Sequence, residues 1–145
     1  MRGVPGIKVV HFDMGNSGRG FEYEVSLSVN APVQIRHNSL ESARIISHRY
    51  LEKRVGKANY HLKIRVFPHE VLRENRMASG KKADRYGDGM RRSFGRPTGT
   101  AARLSENQKV ISIWVDQTNV AHAKEALRKA GHKFPASCSI RVDNA

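Results

Sequence analysis

The sequence is short of thiols, of acidic residues and of long apolar runs, and each shortage closes off a class of protein. Cys138 is the only cysteine, so neither an internal disulfide nor a cysteine-rich zinc site can form. A lone cysteine in an expected strand reads as a small interior residue rather than a nucleophile. No run approaches the roughly 20 apolar residues that span a bilayer. The opening Met1-Arg2-Gly3-Val4-Pro5-Gly6 lacks the apolar core of a secretion signal, so the chain is read as cytoplasmic. Neither a lipidation signal nor a basic helix with a clustered apolar face is present, which argues against a membrane partner.

What is there in excess is positive charge. Against 13 Asp and Glu stand 26 Lys and Arg, a net +13 in 145 residues, with a pI near 10.5. That surplus favours a polyanion, nucleic acid first, over an acidic small molecule. The length suits one domain spanning 1–145, and 39% hydrophobic residues suffice for a core.

Alternation from Phe21 to Val29, with Tyr23, Val25 and Leu27 between Glu22, Glu24, Ser26 and Ser28, predicts a half-buried strand. A shorter pattern covers Ile7 to Phe12, and Gly15-Asn16-Ser17-Gly18 between them suggests a hairpin turn. Val33 and Ile35 mark a short extended segment. A helix is expected from Asn38, capped by that residue with Glu41 reaching back, and carried by Leu40, Ala43, Ile46, Tyr50 and Leu51 until Gly56. Leu62, Ile64 and Val66 alternate in a strand that Pro68 stops. Val110 to Val115 predicts another strand, about Asn119 to Ala130 a second helix, and Ser139 to Val142 a last strand. The expected fold class is α+β: two helices packed on a largely antiparallel sheet as a sandwich.

About 40 residues between Pro68 and Lys109 show little apolar periodicity. Unstructured connections beyond ~12–15 residues are uncommon in compact domains. They are read as a long, basic, glycine-rich loop extension over about 73–108. From Arg76 to Arg103 eight cations (Arg76, Lys81, Lys82, Arg85, Arg91, Arg92, Arg96 and Arg103) face only Asp84 and Asp88, a local +6. Gly80, Gly87, Gly89, Gly95 and Gly99 would let the backbone approach phosphates closely, and Tyr86 and Phe94 offer faces for stacking on bases. Arg73 opens the same stretch. Outside it, Arg36, His37, Lys63 and Arg65 are candidates for a basic sheet face continuous with the loop.

Catalytic arrangements find little support. The seven histidines, His11, His37, His48, His61, His69, His122 and His132, are scattered singly with no metal-ligand spacing. Asp84 and Asp88 sit among cations, where pairing with Lys82, Arg85 or Arg91 is a simpler role than holding magnesium. The glycines lack the spacing and the following Lys-Ser or Lys-Thr of a nucleotide-binding loop. No cofactor is expected and no enzyme activity. The competing readings are an RNA-processing enzyme built on Asp84, Asp88 and magnesium, and a translation factor that visits tRNA transiently.

The run from Lys82 through Ala-Asp-Arg-Tyr-Gly-Asp-Gly-Met-Arg-Arg-Ser-Phe-Gly-Arg-Pro-Thr-Gly-Thr-Ala-Ala to Arg103 closely resembles the signature loop of the archaeal and eukaryotic ribosomal protein L-ten-e family, counterpart of bacterial L-sixteen. Gln34 to Arg44, His61 to Pro68 and Lys133-Phe134-Pro135 resemble the same family in the same order. The resemblance spans nearly the whole chain and favours the archaeal branch. It implies a structural, non-enzymatic protein of the large ribosomal subunit that binds rRNA near the peptidyl transferase centre. Its implied partners are large-subunit rRNA, the tRNA acceptor arm near the P and A sites, and neighbouring ribosomal proteins. Lys82, Arg85, Arg91, Arg92 and Arg96 become the implied phosphate contacts, with Met90 near the loop tip. Members of that branch usually begin with a further basic, tyrosine-containing segment and many continue past the position of Ala145, so the contacts expected here are those of body and loop.

Overall fold

A computed structural model describes residues 3–145, apart from the side chain of Asp84. Strands β1 (Asp13–Gly15), β2 (Tyr23–Val29), β3 (Val33–Arg36), β4 (Tyr60–Ile64), β5 (Glu70–Glu74), β6 (Arg96–Leu104), β7 (Lys109–Val115) and β8 (Cys138–Asn144) form two sheets. The larger has the order β1-β4-β7-β2-β8, the smaller β3-β6-β5, and every described pairing is antiparallel. Two long helices, α1 (His37–Arg54) and α3 (Val120–Gly131), pack on each other. Between β5 and β6 lies a single helical turn, α2 (Ala83–Tyr86).

The period-two pattern of β2 explains its place. Val25, Leu27 and Val29 are buried on one face, opposite Ile113 and Ile111 of β7, and α3 covers them. Along α3, Ala123, Ala126, Leu127 and Ala130 are buried, and three of the four are small enough to let helix and sheet approach closely. Helix α1 buries Leu40, Ala43, Ser47 and Leu51, and it bridges the sheets by touching β4 of one and β3 and β6 of the other. One core cluster therefore runs from β2 and β7 through both helices to Ile35, Ala102 and Leu104 of the small sheet. Cys138 packs at its edge, partly buried, and burial pushes its thiol pKa up.

Three sequence expectations need correction. The proposed hairpin of Ile7–Phe12 with Phe21–Val29 does not form. The strand is Asp13–Gly15 instead, and it pairs with β4, while β2 lies between β7 and β8. Alternation reports which face a strand buries, not which strand it pairs with. Gly15, at φ +86°, crosses β4 so closely that a Cβ would collide with the Tyr60 carbonyl oxygen, and the Asn16 amide donates to that oxygen at 2.8 Å.

Helix α1 begins at His37, with Arg36 in the cap position and no side-chain cap. Because β3 runs straight into the helix, Asn38 is already helical, and Glu41 turns to Arg44, 2.6 Å away, instead of to the helix start. The third correction shortens the loop. Glu70–Glu74 and Arg96–Leu104 form a ladder, with Glu74 opposite Arg96, leaving residues 75–95 and the short 105–108 connection to β7 outside the sheets. Pro97, Gly99, Ala101 and Ala102 have too little apolar bulk to show alternation, so tertiary pairing made this strand without a visible pattern.

Candidate nucleic-acid interface

Residues 75–95 project from the β5–β6 ladder, and none of them joins the core cluster. Short backbone bonds shape the segment. The Ala83 amide donates to the Gly80 carbonyl, that of Arg91 to Asp88, and that of Gly95 to Arg92 at 2.9 Å. Gly80, Gly89 and Gly95 take positive φ, and so does Arg92 at +57°, a conformation few non-glycine residues adopt. Tyr86, Met90 and Phe94 are 77%, 72% and 73% exposed. Three large side chains this open on one short segment make it a candidate contact surface.

Charge is in excess on both body and extension. In the body six cations are paired, Arg19 with Asp116, Arg44 with Glu41, Arg65 and Lys109 with Glu24, and Arg128 and Lys129 with Glu125, while others such as Arg36, Arg49, Arg54 and Lys63 have no ion pair among the described residues. From Arg73 to Arg103, only Arg76 makes an ion pair among the described residues, with Glu74 at 3.2 Å. Lys81, Lys82, Arg85, Arg91, Arg92, Arg96, Arg103 and Asp88 have no ion pair among the described residues, which do not include the side chain of Asp84. The expected pairing of Asp88 with Lys82, Arg85 or Arg91 is therefore absent among the described residues, and the side chain of Asp84 lies outside them. Cations outnumber anions along the extension, eight to two from Arg76 to Arg103.

At its root the segment is held in place. Arg73 of β5 donates to the carbonyl oxygens of Gly95 at 2.6 Å and Phe94 at 3.4 Å, while its Cζ sits 4.3 Å from the Phe94 ring centroid. Gly95 lies so near β5 that a Cβ would stand 2.6 Å from the Glu74 carbonyl carbon. One side chain thus fastens both the turn and the ring it presents.

The remaining candidates fall into two groups. Arg36 and Arg103 are exposed on one face of the small sheet, since Arg103 pairs with Gln34 two residues from Arg36. His37, expected at the surface, is only 8% exposed. Its Nδ1 accepts the Lys8 amide at 3.0 Å, and its ring lies over the side of Gly99 where a Cβ would point. Burial first, then Lys8 and Arg36, hold its pKa below the ordinary histidine value, which keeps the ring neutral. His37 ties down the amino-terminal segment.

Neither Lys63 nor Arg65 is on the small sheet that carries the extension: Lys63 lies in β4 of the large sheet and Arg65 directly after that strand, its amide donating to the Val110 carbonyl of β7. Arg65 is occupied there. It reaches Glu24 at 2.9 Å and lies 5.2 Å from the Trp114 ring, whose other neighbour is the stacked His61. Burial alone would raise the Glu24 pKa, but hydrogen bonds from Ser112, Lys109 and Arg65 outweigh it and leave the carboxyl below its usual value. This Glu24–Trp114 network was missed by sequence reasoning, because only strand register brings β2, β4 and β7 together. Alternation alone placed Glu24 on the outer face.

Among the described residues no group of three or more His, Cys, Asp or Glu side chains is placed to hold a metal ion. No described helix is long and apolar enough to cross a membrane. Body and extension together define a small α+β scaffold that carries a glycine-rich arm with exposed cations and aromatic rings. The chain belongs to the ribosomal protein L16p/L10e family, whose pattern matches residues 1–141. It is 54% identical over 143 residues to the large ribosomal subunit protein uL16 of Methanocella arvoryzae, covering 99% of this chain and 83% of that one. The protein of the same name from Methanococcus aeolicus is 54% identical over 142 residues, covering 98% and 82%, and that of Methanospirillum hungatei is 50% identical over 143, covering 99% and 84%.

Proposed function

We propose that this chain is a structural component of the large ribosomal subunit, working in the cytoplasm as part of the ribosome, and that residues 75–95 are its principal RNA-contacting arm. Family membership supports the first statement. As a member of a structural family the chain is not an enzyme. The make-up of the arm supports the second: from Arg76 to Arg103 eight cations stand against Asp84 and Asp88, interleaved with glycines and with the exposed Tyr86, Met90 and Phe94, and residues 75–95 lie outside the core. Like charges along the arm repel one another until phosphates lie between them, and the released counterions drive association.

In the finer reading, Lys81, Lys82, Arg85, Arg91, Arg92 and Arg96 contact phosphates, Tyr86 stacks on bases, and Met90 sits at the outer part of the arm. Arg36 and Arg103 extend the contact across the small sheet. The arm is directed at rRNA near the peptidyl transferase centre and at the acceptor arm of tRNA in the P and A sites, and the body adjoins neighbouring ribosomal proteins. Filter binding to large-subunit rRNA fragments across a salt series tests the arm. Six engaged phosphates weaken binding roughly 10³-fold or more between about 50 and 200 mM salt. A flat response would sink the reading. A component of the subunit also stays with it through a moderate-salt wash in sedimentation, whereas a transient tRNA-binding factor leaves.

A further inference from the structure

We infer that the root of the arm is a preformed site for one unpaired RNA nucleotide, its base stacked on the free face of Phe94 and its phosphates held by Arg92 and Arg96. The inference rests on the RNA-binding reading above and gives that surface a defined ligand class. Between the amino-terminal segment and the loop root is a cavity of about 770 Å³, whose walls include Gly3, Pro5, Arg73, Arg92, Phe94 and Arg96. That volume accommodates a nucleotide-sized ligand. The chemistry of the walls is specific. One face of the Phe94 ring carries the Arg73 guanidinium, and the ring remains 73% exposed. A base arriving on its open side completes a stack of cation, ring and base, an arrangement that favours aromatic bases of any sequence.

The site is built before RNA arrives. Arg73 bonds two carbonyl oxygens of the turn that carries the ring, Gly95 is wedged against Glu74, and the Gly95 amide closes the turn on the Arg92 carbonyl. Arg92 holds φ +57° in that same turn, a conformation few non-glycine residues adopt, and lines the cavity. Ordering costs are therefore largely met in advance. A paired base inside a helix shows its edges and backbone but no free face, so the ring selects a nucleotide from a loop, bulge or end.

The test uses the full chain and a short single-stranded oligoribonucleotide carrying 2-aminopurine, beside a blunt RNA duplex and free AMP. The probe's emission is expected to change on binding as its base stacks. Phe94→Ala should remove that change and weaken the single strand about 5- to 150-fold. It should leave the salt slope and the affinity for duplex unchanged, and Phe94→Trp should restore binding. Because Phe94 lies outside the core, the alanine variant should melt like the parent. Arg73→Ala, which frees the turn, should lose most of the spectroscopic change. Equal affinity of parent and Phe94→Ala for the single strand would overturn the inference, as would an equal loss on duplex. Binding of free AMP as tight as that of the oligonucleotide would also overturn it, marking a mononucleotide site. Failure of the wider RNA-binding reading is separate, and shows as a flat salt response of the unaltered chain.

Discussion

His37 shows how much one side chain's surroundings decide. A basic residue beside Arg36 looks like a surface contact, yet its ring is an interior acceptor for the Lys8 amide. A folded pKa below the unfolded value of about 6.5 means that the unfolded chain takes the proton first. The stability from the neutral ring is therefore full above pH 6.5 and is lost as pH falls from there through the lower folded pKa. Thermal melts across that window should show Tm dropping, and His37→Asn should flatten this part of the curve. An unchanged slope would remove His37 as its source. Gly95 is constrained differently. Its alanine variant adds a Cβ 2.6 and 2.8 Å from backbone atoms of Glu74 and Asn75, at φ +82°. A local cost of roughly 1–3 kcal/mol is expected. Since the turn lies outside the core, this should appear as faster tryptic cleavage after Arg91 and Arg92 and weaker RNA binding, with little change in Tm.

Among the elements, α3 and the large sheet depend on small side chains. Ala123, Ala126 and Ala130 are fully buried, so Ala123→Leu forces extra methylenes into a filled core and should cost about 1–3 kcal/mol in denaturant unfolding. The salt slope of RNA binding should not move, because no arm residue shares that core. Glu24 organises the opposite face of the same sheet. Its carboxyl pKa is lowered, so the stability it adds is present above the ordinary value of about 4.5 and is lost as pH falls below it. Melts from pH 6 to 3 should show that acid limb reduced in Glu24→Gln; a limb of equal size would assign the loss to other carboxylates.

For the molecule as a whole, fold and binding arm are separable. Glu74 and Arg96 face each other, the geometry a two-residue turn closes, so Asn-Gly in place of residues 75–95 should leave a folded body with a similar unfolding midpoint. The exchange removes Arg76, Lys81, Lys82, Arg85, Arg91 and Arg92. If each neutralises one phosphate, the log-log salt slope should fall by about 4–5 units, as salt titrations of RNA affinity would measure. An unchanged slope would move the RNA contact to the body. Failure of the shortened chain to fold would show that the arm supports the core after all.

By itself the sequence determined the apolar face of β2 and of β4, the existence of β7, both long helices, and the existence of a cationic glycine-rich arm, while burial of Ser26 and Ser28 on the other face of β2 came only with folding. Those features follow from periodicity, local propensity and charge, which act between near neighbours in the chain. The signature run from Lys82 to Arg103 was likewise legible as a family resemblance. Only the tertiary structure decided which strands pair, that β5 and β6 extend into the expected loop, and that His37 is interior. It also decided that Arg65 is committed to Glu24 and Trp114, and that Arg73 clamps Phe94. Each of these joins residues 20 or more positions apart. Such contacts depend on strand register and burial, and neither is written in any local pattern. The arm's charge was thus set by composition, and its nucleotide-sized root by folding.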